Sequence, residues 1–318
     1  MIDLKRIASL SLSACILLPQ LANAECRMDL ITRHIDPAKT RIYAASTGVA
    51  SLYFTANMDV NTDGTARSYH PDDPRGQNLA FNNMGNAITR IFDAAGRDVT
   101  CAPRRGDCFK KFIETFEAAR DARYNPSGHP RITTDGIIPW KTDSALGWQV
   151  PCTIAQGTFK GYFVSQTSIS VDPTKPACDQ DRYLDSFRFN AIVLPKNVIW
   201  RSQGVATDDG DLVVVRDAET KVVAFAINGD RGPAKGIGEG TIALAAALNK
   251  KVLKGDEAYS AIRALQRSRV QYVIFPRDDI RRRAGATFSQ ADIDRVGKEL
   301  FEQWGGTARL DECSALER

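Results

Sequence analysis

Between residues 157 and 275 the apolar and β-branched residues come in short runs, at 162–167, 191–194, 212–216, 222–227 and 270–275, divided by Gly, Pro and Asp. Runs of this length and spacing predict strands that close into a β-barrel. Upstream, 41–56 alternates apolar and β-forming residues and also predicts strands, and 25–40 reads as a surface lead-in. Three stretches carry the helical period instead. From 107 to 123, Phe109, Phe112, Ile113, Phe116 and Ala119 recur at three and four with charged residues between them, an amphipathic helix whose aromatic stripe faces a core. A short Ala/Leu-rich helix is expected at 241–248. A longer one at 289–304 opens with Ser289 and Asp292 in a capping-box arrangement and stops at Gly305-Gly306. The expected fold is therefore mainly β (α+β): one domain over 25–318, with a β-barrel core at about 151–282 and peripheral helices.

Composition narrows the class. The 318 residues are 43% hydrophobic and 25% charged with mean hydropathy -0.28, which excludes a disordered chain and a polytopic membrane protein. Lys5 and Arg6, an apolar run over 7–21 and then Ala22-Asn23-Ala24 have the order of an export signal at 1–24. A competing reading takes Leu12-Ser13-Ala14-Cys15 as a lipoprotein cleavage box. No later stretch reaches the roughly 20 apolar residues of a membrane span. The expected location is secreted or periplasmic. Six cysteines follow the signal, and an even number in an exported chain predicts disulfides. The preferred pairing joins Cys101 to Cys108, Cys152 to Cys178 and Cys26 to Cys313, one of 15 arrangements that six cysteines allow. No C-x-x-C spacing exists and His34, His70 and His129 stand apart, so a zinc site has no support. Arg281-Arg282-Arg283 lacks interleaved aromatics and gives no reason to expect nucleic acid.

Chemistry concentrates where two strand-like runs form a hairpin, 211–215 and 222–227, and the second delivers Asp230 into the loop Asp230-Arg231-Gly232-Pro233-Ala234-Lys235-Gly236-Ile237-Gly238-Glu239-Gly240. Asp230 and Glu239 bracket that loop. Hydrolysis of a glycosidic bond needs such a pair, one carboxyl to protonate the leaving oxygen and one as base or nucleophile. With carboxyls about 6.5–9.5 Å apart a water fits between them and the reaction inverts. The same two acids also suit a turn and a helix cap. The loop lacks the Gly-Lys-Ser/Thr ending and the glycine spacing of nucleotide sites, and no G-x-S-x-G elbow is present.

Other candidates surround this pair. Asp59, Asn61, Asp63 and Gly64 fit the opening of a calcium loop, but His70 occupies the twelfth position where a bidentate Glu belongs, so the alternative is a polar turn and no cofactor is expected. Tyr69 and His70 are candidates to line a sugar site. Asp211, with Asp208 and Asp209, is a candidate to attract amino sugars, and Thr167 and Ser168 offer hydroxyls near a strand end.

Several segments resemble the fungal-type chitosanases, glycoside hydrolase family 75, and their bacterial relatives. They are Met58-Asp59 with Asp63-Gly64, Tyr69-His70-Pro71, the stretch 161–168, Arg182-Tyr183-Leu184-Asp185, Ile192-Val193-Leu194-Pro195, Gly210-Asp211, Asp230-x-Gly232-Pro233, Ile237-Gly238-Glu239-Gly240, Phe275-Pro276 and Trp304-Gly305-Gly306. They follow in order over most of the chain. The resemblance implies an endo-acting, inverting enzyme on a β-1,4-linked glucosamine polymer, with Asp230 and Glu239 essential. It implies Glu239 as acid and Asp230 as base, whereas a helix starting near Thr241 favours ionised Glu239 and the reverse roles. The Asp-x-Gly-Pro turn before a short helix also resembles double-psi β-barrel proteins, including peptidoglycan-cleaving ones, and so implies a double-psi-like core. Three departures bear on substrate. Asn190-Ala191 stands where the family has Pro-Tyr, residues 80–150 match poorly, and Arg231 puts a cation beside Asp230, which disfavours a polycation. The expected partner is therefore a polysaccharide: chitosan, a chitin oligomer or peptidoglycan glycan. A noncatalytic glycan-binding envelope protein is the reading from another class.

Overall fold

The computed structural model describes residues 25–317; the predicted export signal and its lipoprotein rival lie outside them. In chain order the strands are β1 (Met28–Arg33), β2 (Arg41–Ala45), β3 (Leu52–Asn61), β4 (Arg90–Phe92), β5 (Arg131–Thr133), β6 (Trp140–Thr142), β7 (Gln149–Pro151), β8 (Ala191–Pro195), β9 (Asp211–Asp217), β10 (Val223–Gly232), β11 (Glu239–Thr241) and β12 (Arg267–Asp279). The helices are α1 (Met84–Ala87), α2 (Asp107–Asp121), α3 (Ile242–Leu248), α4 (Tyr259–Arg263), α5 (Ile280–Ala284), α6 (Gln290–Trp304) and α7 (Gly306–Cys313).

One sheet runs β1-β2-β3-β11-β8-β10-β9-β12, and β12 pairs back onto β3. This closes six strands into a barrel, with β1 and β2 as an added edge, so the mainly β barrel with peripheral helices is found. Two pairings are parallel, β10 with β8 and β11 with β3; the other barrel pairings are antiparallel. The barrel takes its first strand from Leu52–Asn61, outside the expected 151–282, and none from 151–190.

Strand alternation sets the two faces. Phe54, Met58, Ile192, Val213, Val215, Ala226 and Tyr272 share one core, while Tyr53, Leu212, Val214, Ile227 and Val273 pack with Ile293, Val296, Leu300 and Trp304 of α6 in another. This is why residues 212–215 are apolar without interruption: both faces of β9 are covered. Helix α6 starts at the Ser289–Asp292 capping box and ends at Gly305, as its sequence predicts.

A smaller core holds α1, α2, β4 and β5 together through Ile91, Phe112, Phe116, Ile132 and Phe163, with Tyr69 inserted from the segment after β3. Disulfides join Cys26–Cys313, Cys101–Cys108 and Cys152–Cys178, the preferred pairing. Among the described residues no helix is long and apolar enough to cross a membrane.

Candidate functional site

Asp230 lies within the ladder between β10 and β8, which runs on to Gly232 opposite Pro195, and a register shift between Asn228 and Asp230 sets it opposite Val193. Glu239, the first residue of β11, is opposite Val193 from the other side and opposite Asp59 of β3. Residues in register share a sheet face. Asp59, Glu239, Val193 and Asp230 thus form one row across β3, β11, β8 and β10, on the sheet face opposite the one where the neighbouring Met58 and Ile192 join a core. Two strand spacings separate the Asp230 and Glu239 backbones, roughly 10 Å before the chord of the barrel shortens it. Both carboxylates are half-buried and Asp59 is exposed.

The loop between them can turn this tightly because of its glycines. Gly238 has φ +91, and a Cβ there would lie 2.0 Å from the Asn57 carbonyl oxygen. A Cβ on Gly236 would meet Glu239 Oε1 at 3.7 Å, and one on Gly232 would meet Oε2 at 3.9 Å, so the loop backbone closes around the Glu239 carboxylate.

A third acid belongs to the cluster. Asp63 follows β3 in a turn pinned by a hydrogen bond from Gly64 N–H to Ser165 Oγ (2.9 Å) and from Gln180 Nε2 to the Gly64 carbonyl (2.9 Å). Its Oδ1 accepts from Tyr69 Oη (2.7 Å) and Asn82 Nδ2 (3.0 Å). Asn61 joins it to the pair, accepting from Asp63 N–H (2.6 Å) and donating to Glu239 Oε2 (3.3 Å).

Burial, followed by the Asp63 charge, pushes Asp230 up to about 7 against hydrogen bonds from the Arg231 and Ser168 backbone. Glu239 is raised by burial and then by Asp63, while the Asn61 amide works against the shift. Asp63 is raised by its own burial against Tyr69 and Asn82. Burial and the charges of Asp63 and Asp230 hold the Tyr69 phenol far above its ordinary range, so it remains a donor.

The sequence candidates divide accordingly. Asp230, Glu239, Asp59 and Ser168 come together, with Ser168 N–H donating to Asp230 Oδ1 (2.9 Å). Tyr69 is wholly buried and meets the cluster only through its hydroxyl on Asp63; it cannot stack on a sugar as expected. His70 turns away, edge-on to Tyr162 at 4.5 Å, with Nδ1 accepting from Asp72 N–H. Thr167 is buried, and its hydroxyl donates to the Ile169 carbonyl and accepts from Leu184 N–H, a packing role in place of the expected substrate contact. Asp211 is also buried: its oxygens take N–H groups of Asp208 (2.8 Å) and Arg277 (3.0 Å), so it presents nothing to a sugar. Arg231 pairs with Asp209 at 2.8 Å, which answers the charge expected to burden Asp230. The calcium reading gives way because β3 continues through Asn61 and sets Asp59 and Asn61 against β11. Among the described residues no three His, Cys, Asp or Glu side chains are placed to hold a metal ion.

Asp63, which the sequence offers only as part of a calcium-loop opening, belongs here to the carboxylate cluster, a carboxylate before a turn glycine just past the strand carrying Asp59. A cavity of about 350 Å3 lined by Tyr124, Ile132, Trp140 and Trp148 shares no residue with the carboxylates. Comparison with protein-family models and with curated proteins finds no match to this chain.

Proposed function

We propose that the protein is an endo-acting glycoside hydrolase, secreted or periplasmic, that cleaves a β-1,4-linked amino-sugar polymer of the chitosan type with inversion. The observation that carries this reading is the placement of Asp230 and Glu239 on one face with a single residue, Val193, between them. That spacing suits a water and a sugar ring between two carboxyls, the arrangement of inverting enzymes at about 6.5–9.5 Å.

The unequal environments divide the labour. Asp230, raised to about 7, keeps its proton at mildly acidic pH and serves as general acid toward the glycosidic oxygen. Glu239 receives the Asn61 amide and lies just before the N-terminus of α3, both of which favour the ionised form. It takes a proton from the attacking water as that oxygen bonds to the anomeric carbon and the bond to the leaving oxygen breaks. These roles reverse those implied by the family resemblance.

Substrate charge follows from the rim. Asp59 is exposed beside Glu239, and Arg231 is paired with Asp209, so the face is acidic and suits protonated glucosamine units. The three disulfides support the assignment to an oxidising compartment. The test is reducing-end release from chitosan, chitin oligomers and purified peptidoglycan, with the anomer of the first product read by NMR. Release from chitosan as the inverted anomer is expected; no release from any of the three ends the proposal.

A further inference from the structure

Residues 80–150, which match the family resemblance poorly, build a cavity of their own. Its volume is about 350 Å3, and its walls are Tyr124, Ile132, Trp140 and Trp148, with Arg131 and Gln149 beside them. Tyr124 enters from the end of α2. The chain leaves that helix through two successive left-handed residues, Arg123 (φ 51) and Tyr124 (φ 60), and Tyr124 N–H bonds back to the Ala119 carbonyl at 2.7 Å. Neither residue is glycine, so the turn stores backbone strain, and such strain persists mainly where a site uses it. Trp140 and Trp148 come from the β6–β7 hairpin. Their indole N–H groups are committed to protein acceptors, Trp140 to Thr134 Oγ1 (2.7 Å) and Trp148 to the Arg123 carbonyl (2.9 Å), and Trp140 meets Tyr124 edge-on at 5.6 Å. The indoles are thus held by their polar edges and give the cavity carbon surface.

Two polar features limit what can occupy it. The Tyr124 hydroxyl is buried and has no hydrogen-bond partner among the described residues. No carboxylate among the described residues lines the walls, and the single cation there, Arg131, stacks on Phe92 with its guanidinium 5.0 Å from the ring. A protonated amine is disfavoured in such surroundings, whereas a neutral ligand with apolar faces and a hydrogen-bond acceptor is favoured. Mostly apolar cavities of this size with a few polar groups are the usual form of small-ligand sites.

We propose that the cavity is a second glycan site that anchors an N-acetylated hexosamine unit, its C–H face on the two indoles and its acyl carbonyl accepting from the Tyr124 hydroxyl. This rests on the amino-sugar reading and extends it: the acidic face of Asp230 and Glu239 takes glucosamine units, and the aromatic cavity takes acetylated ones. Acylation removes the charge of the amine and adds a methyl group and a carbonyl, and each of these changes matches the walls. The two sites share one packed unit. Tyr124 and Trp140 lie against the small core that Tyr69 enters, with the Tyr69 hydroxyl on Asp63.

The test is titration of the full chain carrying Asp230→Asn, which suppresses product formation, with the tetramers of N-acetylglucosamine and of glucosamine. Nitrogen–proton NMR follows the indole N–H signals. The acetylated tetramer should move those of Trp140 and Trp148, and Trp148→Ala should weaken its binding about tenfold. The glucosamine tetramer should leave both signals in place. Unmoved indoles with the acetylated tetramer overturn the proposal, and equal movement with both tetramers overturns its selectivity for the acylated unit. Tyr124→Phe separates recognition from architecture. Losing a buried hydroxyl that has no partner should leave the melting temperature level or higher while binding weakens about two- to fivefold, and an unchanged affinity overturns the role of the hydroxyl. The NMR titration needs no substitution in the cavity, so it decides even where Trp148→Ala does not fold. Indole shifts without reducing-end release from any polymer would end the glycosidase reading and keep the cavity site; release without indole shifts would do the reverse.

Discussion

Asp211 and Asp230 stand near the ends of neighbouring barrel strands, and burial pushes both up to about 7. Their surroundings differ. Asp211 is fully buried, and its oxygens hold the N–H groups of Asp208 and Arg277, the latter at a left-handed φ of 69 where β12 loses register between Phe275 and Asp279. It fastens two irregular turns to each other. Asp230 is half-buried, takes backbone hydrogen bonds from Ser168 and from the adjacent Arg231, and shares its face with two other acids, Glu239 and Asp59. An elevated carboxyl therefore identifies burial first. Function is indicated by what remains available: access to solvent, a carboxylate partner at catalytic spacing, and hydrogen bonds not committed to holding the backbone.

The sharpest way to break this comparison is to neutralise each acid in turn. Asp230→Asn and Glu239→Gln should each lower hydrolysis by about a thousandfold, the scale of general acid–base catalysis, while leaving the melting temperature level or higher because a repelled charge is gone. Asp211→Ala should do the opposite. It strands two backbone donors and should cost roughly 2–3 kcal/mol in denaturant titration, with kcat of the folded enzyme unchanged. A catalytic loss without destabilisation in Asp211→Ala would place Asp211 in the site and undo the distinction.

The same contrast predicts a pH dependence of stability. A carboxyl raised on folding binds a proton in the folded chain where the unfolded chain has already released it. The contribution of Asp211 is therefore fully present below about pH 4 and is lost as pH rises toward about 7. His34 acts in the opposite direction. Burial lowers its folded value, so stability falls as pH drops below the ordinary histidine value of about 6.5. The diagnostic is the difference between wild type and Asp211→Asn. The stability gap should narrow between pH 5 and pH 7 in urea titrations, and a gap that widens would refute the assignment.

How much of this was legible in sequence differs by region for physical reasons. Helix α6 was readable because cap, period and stop signals agree locally, and residues 212–215 were readable because a strand covered on both faces has no polar positions. Residues 162–167 have the same strand-like composition but form no ladder. The N–H groups of Phe163, Val164, Ser165 and Gln166 go to Tyr69, Cys152, Gln180 and Ile137, four separate places in the chain. Local pattern cannot distinguish those partners from a neighbouring strand. Conversely Asp59 and Asn61 look like turn residues, yet β11 pairs with them and keeps them in β3. The pair Asp230 and Glu239 was visible because one loop carries both. Asp63 is readable there only as part of a calcium-loop opening, since its place in the cluster comes from Tyr69, Asn82, Asn61 and the β3–β11 pairing rather than from its neighbours in sequence.

The smallest expected effect tests the rim of the face that carries Asp230 and Glu239. Arg231 lies next to Asp230 in sequence, and its guanidinium is balanced by Asp209 at 2.8 Å, the arginine being more exposed than the acid. Exposed pairs of this kind contribute only about 0–1 kcal/mol to stability, so Asp209→Asn should fold normally. It leaves the cation unpaired beside the acid, which lowers the Asp230 titration and repels a protonated glucosamine chain. KM for chitosan should rise about two- to fivefold at low salt, kcat should change less, and the difference should fade as added salt screens the charge. Asp211→Asn, buried and committed to backbone donors, should show no such salt-dependent change in KM. A matching salt response in both variants would mean that charge near these strand ends acts through the whole face and not through the rim beside Asp230.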